Sequence, residues 1–272
     1  MSSQSILKWG VRAYLAFFFI YLFTPLIIMS LATFNDSRFP TVWPWRGTTL
    51  RWFVDLYHDS SMWEALLNSI KVAAGVLALA VPIGVACALF LSTYHGRSKN
   101  LIYGVMLSPL LTPGVIIGIS TLIFWRQLGV SGGIFLTVVA QTTFIAAYVM
   151  LLVLARLQRF DRTLERAALS LGASHFQVFR RIMLPYLMPA ILSAAVIAFL
   201  QSFENYNTTL FVRGFDTTLT VYIASKVRTG LTPAVNALGL IMILLTVVFA
   251  VAYELKRRGE TRRAARRALA EQ

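Results

Sequence analysis

Residues 130–159 read VSGGIFLTVVAQTTFIAAYVMLLVLARLQR. No charge occurs from Val130 to Ala155, and arginines then enter at 156 and 159. A bilayer core of roughly 30 Å takes about 20 apolar helical residues. In lipid, a lone segment satisfies its backbone only as a helix. The stretch therefore reads as a membrane-crossing helix with a basic end. The alternating pattern of a membrane barrel is absent from the chain.

Five more charge-free runs of similar length lie on either side: Ala13–Phe34, Val72–Ser92, Leu101–Trp125, Ile182–Phe203 and Thr229–Tyr253. The expected fold class is an all-α integral membrane protein with about six transmembrane helices. The composition agrees. Of 272 residues, 57% are hydrophobic and 13% charged, whereas a soluble domain carries about 25% charged residues. The first run is 22 residues, too long for the apolar core of a cleavable signal.

The net charge is +14, but the basic residues sit between the apolar runs and at the chain end, not along one soluble face. Nucleic acid is therefore not the expected partner. Seventeen Lys and Arg fall in 1–12, the second and fourth loops and the tail 254–272, against seven in the alternate loops, with Lys71 at the start of the second run. The positive-inside rule places both termini in the cytoplasm. Four tryptophans, Trp43, Trp45, Trp52 and Trp63, share the first external loop, as suits a membrane–water interface. Thr49–Tyr57 reads either as a short surface helix or as an irregular loop.

Helix breakers interrupt two runs: Pro82 and Gly84 in the second, and Pro109, Pro113 and Gly114 in the third. Such breaks mark cavities or gates in transporters, or plain kinks in packed helices. Thr232-Pro233 has the form of an N-cap followed by proline at the first helical position.

Residues 156–185 form a long polar loop with the pattern helix, turn, helix. Asp161 is placed to cap the first helix, with Glu165 in its first turns. Ala168 and Gly172 share a small-residue face, and Gly172 suits the helix end. Ser174 and Gln177 have capping-box spacing for a second helix. Phe176, Phe179 and Met183 give that helix an apolar stripe, and Pro185 is expected to break it before the membrane run resumes. From the residues alone, two readings stand: a helix that docks into a groove of a soluble partner, or a basic hairpin resting on lipid.

The segment Glu165-Arg166-Ala167-Ala168, then Gly172-Ala173, then Ile182-Met183-Leu184-Pro185 resembles the signature loop of bacterial ABC-importer permeases. That signature is Glu-Ala-Ala, three residues, Gly, nine residues, Ile, any residue, Leu-Pro. The spacing from Gly172 to Ile182 and Leu184-Pro185 matches. One departure is visible: the signature glutamate falls on Arg166, and the acid, Glu165, is one residue earlier. Asn68-Ser69, Leu111-Thr112-Pro113-Gly114, Ser202-Phe203-Glu204-Asn205-Tyr206 and Thr232-Pro233-Ala234-Val235-Asn236-Ala237 resemble the spermidine/putrescine branch of that family.

The resemblance implies a transmembrane permease domain over 13–253, with a cytoplasmic coupling-helix hairpin between spans 4 and 5 (156–185). It implies a bacterial inner-membrane location and alternating access driven by a separate ATPase. The implied partners are an ABC ATPase dimer, a second homologous permease subunit, a periplasmic solute-binding protein and the lipid bilayer. No cofactor is expected on this chain, since ATP and Mg belong to the ATPase. The sequence agrees in lacking a Gly-x-x-x-x-Gly-Lys-Ser/Thr loop.

Glu204 is the one acid embedded in an apolar context, followed by Asn205, Tyr206 and Asn207. If the helix continues through this cluster, the four residues sit at depth and line the translocation path. The other reading is an acid at a loop end or paired with Lys71 or a partner chain. Gln141, Thr142, Thr143 and Ser120 read as helix–helix hydrogen-bond contacts. Cys87 reads as packing. His58, His95 and His175 are too scattered for a metal site.

Overall fold

The structure, a computed structural model, describes residues 3–230 and 232–270, with side chains at 8–230, 232–248, 251–252 and 254–255. The helices in chain order are α1 (Ser3–Ala32), α2 (Arg51–His58), α3 (Ser60–Thr93), α4 (Lys99–Leu111), α5 (Gly114–Gln127), α6 (Ile134–Leu157) and α7 (Arg162–Ser170). Next come α8 (His175–Val178), a π-helical turn (Phe179–Met183), α9 (Leu184–Phe203), α10 (Thr209–Val212), α11 (Leu219–Thr229) and α12 (Pro233–Ala270). The arginine side chains of the tail lie outside the described residues.

Four helical segments among the described residues are long and apolar enough to cross a bilayer: Lys8–Ala32, Ser60–Thr93, Ile134–Leu157 and His175–Phe203. The third apolar run is not a straight span. It folds into α4 and α5, bent by 100° at Thr112-Pro113. Proline lacks an N–H and disfavours the helical conformation in the residue before it. Thr112 is accordingly extended, with φ −85° and ψ 129°, and α5 restarts at Gly114. The sixth run contributes the shorter apolar segment Pro233–Val248. Six crossings are compatible with this set. As the sequence predicts, Pro233 is the first residue of α12.

The chain divides into two compact units, residues 1–60 with 225–272 and residues 61–224. In the first, α12 packs on both α1 and α2. Its loop is organised by Asn35, which is fully buried. The Asn35 amide donates to the carbonyls of Thr41 and Pro44, and its side-chain oxygen accepts from the Arg46 N–H at 2.8 Å. Trp52, on the short helix that the first loop contains, donates its indole N–H to the Asn35 carbonyl at 3.0 Å.

The second unit is built around α6, the helix of the opening stretch. Its residues Val138, Ile145, Val149, Met150 and Val153 join Val72, Val76, Ala80 and Ala88 of α3 and Leu187, Ala194 and Ala198 of α9 in one core. A helix apolar on every side is a core helix or a membrane span, and α6 is packed by protein along much of its length. α3 runs unbroken through Pro82, so the proline does not end it. Gly84 serves close approach instead. A methyl group placed there would stand 2.6 Å from Cβ of Val149 and 2.7 Å from the carbonyl oxygen of Ala146. Gln141 does hold helices together: its amide donates to Thr209 Oγ1 at 2.8 Å and its oxygen accepts from Ser202 Oγ at 2.6 Å.

Candidate functional site

Two features of the second unit carry the chemistry: the hairpin after α6, and the break between α4 and α5.

The hairpin forms as its sequence dictates. Asp161 accepts from the Thr163 N–H at 2.8 Å and from the Thr163 hydroxyl at 2.7 Å, capping α7. The Thr163 hydroxyl and N–H, with Arg166 nearby, hold the Asp161 carboxyl below its ordinary range. At the other end, the Ala173 N–H donates to the Ala168 carbonyl and the Gly172 N–H to the Leu169 carbonyl. This is a Schellman close, which requires the left-handed φ of +85° found at Gly172. Ser174 and Gln177 form the reciprocal capping box.

No residue of α7 is buried within the chain. Leu164, Ala167 and Leu171 are exposed along one stripe, and Leu171 is 88% exposed. An exposed apolar stripe that nothing in the chain covers is a candidate contact surface for another molecule. Glu165 is held by Arg162 at 3.1 Å, and Arg162 also donates to the Ser92 carbonyl at the end of α3. Arg166 is exposed beside the stripe.

Pro185 does not break the second arm. α8, the π turn and α9 form one continuous helix, His175–Phe203. The π turn leaves extra room one turn before Pro185, which lies at the first turn of α9, where its missing N–H is tolerated. The same turn shifts the expected stripe. Val178 and Met183 are buried, Phe179 packs partly on the core and Phe176 is exposed. Ile182 also packs on the core, and Leu184 is half-buried.

The break between α4 and α5 opens a cavity of about 170 Å³. Asn205 and Asn207 line it; Glu204 and Tyr206 are not among its lining residues. The helix does not continue through this cluster. α9 ends at Phe203 and Glu204 is its exposed C-cap. The reason is local competition for backbone groups. The side-chain oxygen of Asn205 accepts from the N–H groups of Thr208 and Thr209 and from the Thr209 hydroxyl, starting the new turn α10. Thr208 then packs on Gly114 and Gly118, where a methyl group would meet its Oγ1 at 2.8 Å and its carbonyl oxygen at 2.7 Å.

Sequence reasoning missed Thr112, Tyr148 and Gln201, which also line the cavity. The Leu111-Thr112-Pro113-Gly114 break pointed to the first. Phe144 and Tyr148, four apart on one face of α6, carried no local signal. No basic or acidic side chain lines the cavity; the C-terminal end of α4 opens onto it at Leu110 and Thr112, and the N-terminal end of α5 borders it at Gly114, with opposite dipole signs. The set suits a small solute with hydrogen-bond donors and an alkyl body.

Comparison with known proteins bears on the same features. Residues 80–259 match the family described as binding-protein-dependent transport system inner membrane component. The chain is 33% identical over 245 residues to the spermidine/putrescine transport system permease protein PotC of Escherichia coli (strain K12), covering 90% of this chain and 92% of that protein. It is 34% identical over 254 residues to the putrescine transport system permease protein PotI of the same strain, covering 90% of each. The fold matches a bacterial ABC transporter involved in the import of the acidic polysaccharide alginate, with a TM-score of 0.70 at 16% identity over 93% of this chain and 98% of that one. With its apolar helices, its signature hairpin and a family match across about two thirds of its length, the chain belongs to the binding-protein-dependent transport system inner membrane components and is the permease subunit of an ABC importer.

Proposed function

We propose that this permease carries a polyamine, such as putrescine or spermidine, across the inner membrane by alternating access. The observation that carries the reading is the cavity at the α4–α5 break. It holds amide, hydroxyl and carbonyl oxygens and two aromatic rings, with no basic side chain. Such a lining favours an alkylammonium through hydrogen bonds and cation–π contact. The similarity to two polyamine permeases over 90% of the chain supports it.

In this reading, Asn205 and Asn207 line the translocation path, and Glu204 with Tyr206 lies beside it. α7, with Glu165, Arg166, Ala167 and Ala168 on it and Gly172 just past its end, docks into an ABC ATPase subunit. Ala173, Ile182, Leu184 and Pro185 hold α7 to the span that follows. Both termini face the cytoplasm, in keeping with the seventeen basic residues on that side. A second, homologous permease completes the pathway, and an external binding protein delivers the solute. The chain itself performs no catalysis. ATP and Mg bind the ATPase, whose closure draws two hairpins together and opens the pathway outward.

The test is reconstitution with the partner permease, ATPase and binding protein in proteoliposomes. Putrescine or spermidine should stimulate ATP turnover and accumulate with it. Stimulation by an amino acid or opine, with none by either polyamine, overturns the solute. Glu204→Gln should lower uptake several-fold with normal assembly; unchanged uptake removes Glu204 from the path.

A further inference from the structure

A larger cavity, about 300 Å³, opens on the side of the second unit that carries the hairpin. α3 ends there at Thr93, α4 begins at Lys99, α6 ends at Leu157 and α7 begins at Arg162. Its deep side is apolar: Leu91, Leu157 and Phe160 are all buried. Its open side is polar and basic, with Lys99, Asn100 and Arg162.

The charged side chains that line the open side are both basic. No carboxylate lines the cavity. Lys99 has no ion-pair partner among the described residues. It is also the first residue of α4, and Ser98 gives that helix end no side-chain cap. Among the described residues no acceptor is found for the N–H groups of Asn100 and Leu101. A free ammonium, the free backbone amide of Asn100 and the positive end of a helix dipole thus converge on one mouth. Arg162 adds a second cation, partly occupied by Glu165 and the Ser92 carbonyl.

From this placement we infer that the cavity binds the phosphodiester headgroup of an anionic phospholipid. Phosphate matches the donors. Lipid, and not free phosphate, matches the level and the wall. Ser92, Lys99 and Leu157 are where three apolar helices meet polar loops, which is the height of the headgroups. The apolar lining directly below gives the first acyl carbons a surface. Basic pockets between transmembrane helices recognise anionic headgroups in this way. Because Arg162 opens α7, a bound headgroup ties the surrounding lipid to the exposed hairpin helix.

The experiment is native mass spectrometry of the assembled transporter taken from nanodiscs of mixed phosphatidylglycerol and phosphatidylcholine. The wild type should retain phosphatidylglycerol selectively. Lys99→Gln should weaken retention about fivefold, the effect of one basic residue near an anionic headgroup. Asn100→Asp should weaken it at least as much, although an acid at the start of α4 stabilises that helix, so a folding defect does not explain the loss. Arg97→Gln, which removes the same charge from an exposed loop position outside the cavity, should stay within about twofold of wild type. Wild-type retention in both the Lys99→Gln and Asn100→Asp proteins overturns the inference, as does retention of phosphatidylcholine equal to that of phosphatidylglycerol. Complete displacement of a short-chain phosphatidylglycerol by millimolar inorganic phosphate overturns the lipid and leaves a free-phosphate site.

Discussion

Nη1 of Arg162 lies 3.1 Å from Oε2 of Glu165, three residues further along α7. Glu165 is thus satisfied inside the hairpin. The charge that α7 offers outward beside its apolar stripe is the exposed Arg166. In family terms, the position where a glutamate is expected presents a cation.

Reversing that charge should matter more than removing the acid. Arg166→Glu is expected to weaken capture of the ATPase subunit by about tenfold or more, the size of a rim charge turned repulsive. Glu165→Gln should change capture less than about twofold and stability by under about 0.5 kcal/mol, as for other exposed ion pairs. Titrated co-purification measures both, and the reverse order would assign the docking charge to Glu165.

Gly172 closes α7 with φ +85°, and no atom lies within 4 Å of where its side chain would begin. Substitution therefore strains the backbone without a clash. Gly172→Ala should destabilise the hairpin by about 1 kcal/mol, and Gly172→Asn by less. Hydrogen exchange of residues 163–173 should rise while the core of α6 keeps its protection.

The cap on Asp161 has a definite pH dependence. Its carboxyl is held below the ordinary range by the Thr163 hydroxyl and N–H. A depressed folded value means the capping contribution is complete above the unfolded carboxylate pKa. It is lost as pH falls through the folded value. α7 should keep constant exchange protection from about pH 5 upward and lose it only in stronger acid. Asp161→Asn should cap without that acid transition, and Asp161→Ala should lose protection at every pH.

Gly84 sits against Val149 and the Ala146 carbonyl, which cannot both retreat. Gly84→Ala should cost about 1–3 kcal/mol by overpacking. Gly104→Ala, with nothing within 4 Å, should be neutral or slightly stabilising through helix propensity. Thermal unfolding of the purified protein in detergent separates the two.

Much of this was legible in the sequence because the signals were local. Asp161, Gly172 and the Ser174–Gln177 pair act within four residues of themselves, and each forms the motif its spacing predicts. The apolar runs were legible because lipid allows few alternatives. What escaped depended on neighbours. Pro82 is absorbed in an unbroken α3, whereas Pro113, preceded by an extended Thr112, turns the chain by 100°. Pro185 ends nothing because a π turn precedes it. Glu204 stops at a helix end because Asn205 captures the amides ahead of it. The cavity residues Tyr148 and Gln201 come from two helices more than fifty positions apart, and no spacing rule joins them.

The unbroken helix from His175 to Phe203 has a mechanical meaning. Its 29 residues span about 43 Å at 1.5 Å each, with Ser174 of the capping box before one end and Gln201 of the cavity near the other. A stiff rod of that length acts as a lever: a 5° tilt moves its far end by about 4 Å, more than the reach of a hydrogen bond. Whatever pushes on the hairpin therefore rearranges the hydrogen-bonding groups around the cavity, with no relay of side chains between them. The compliant points along the rod are the wide turn at Phe179–Met183 and Pro189, which removes a helical hydrogen bond inside α9, and stiffening either would change how much of each push arrives.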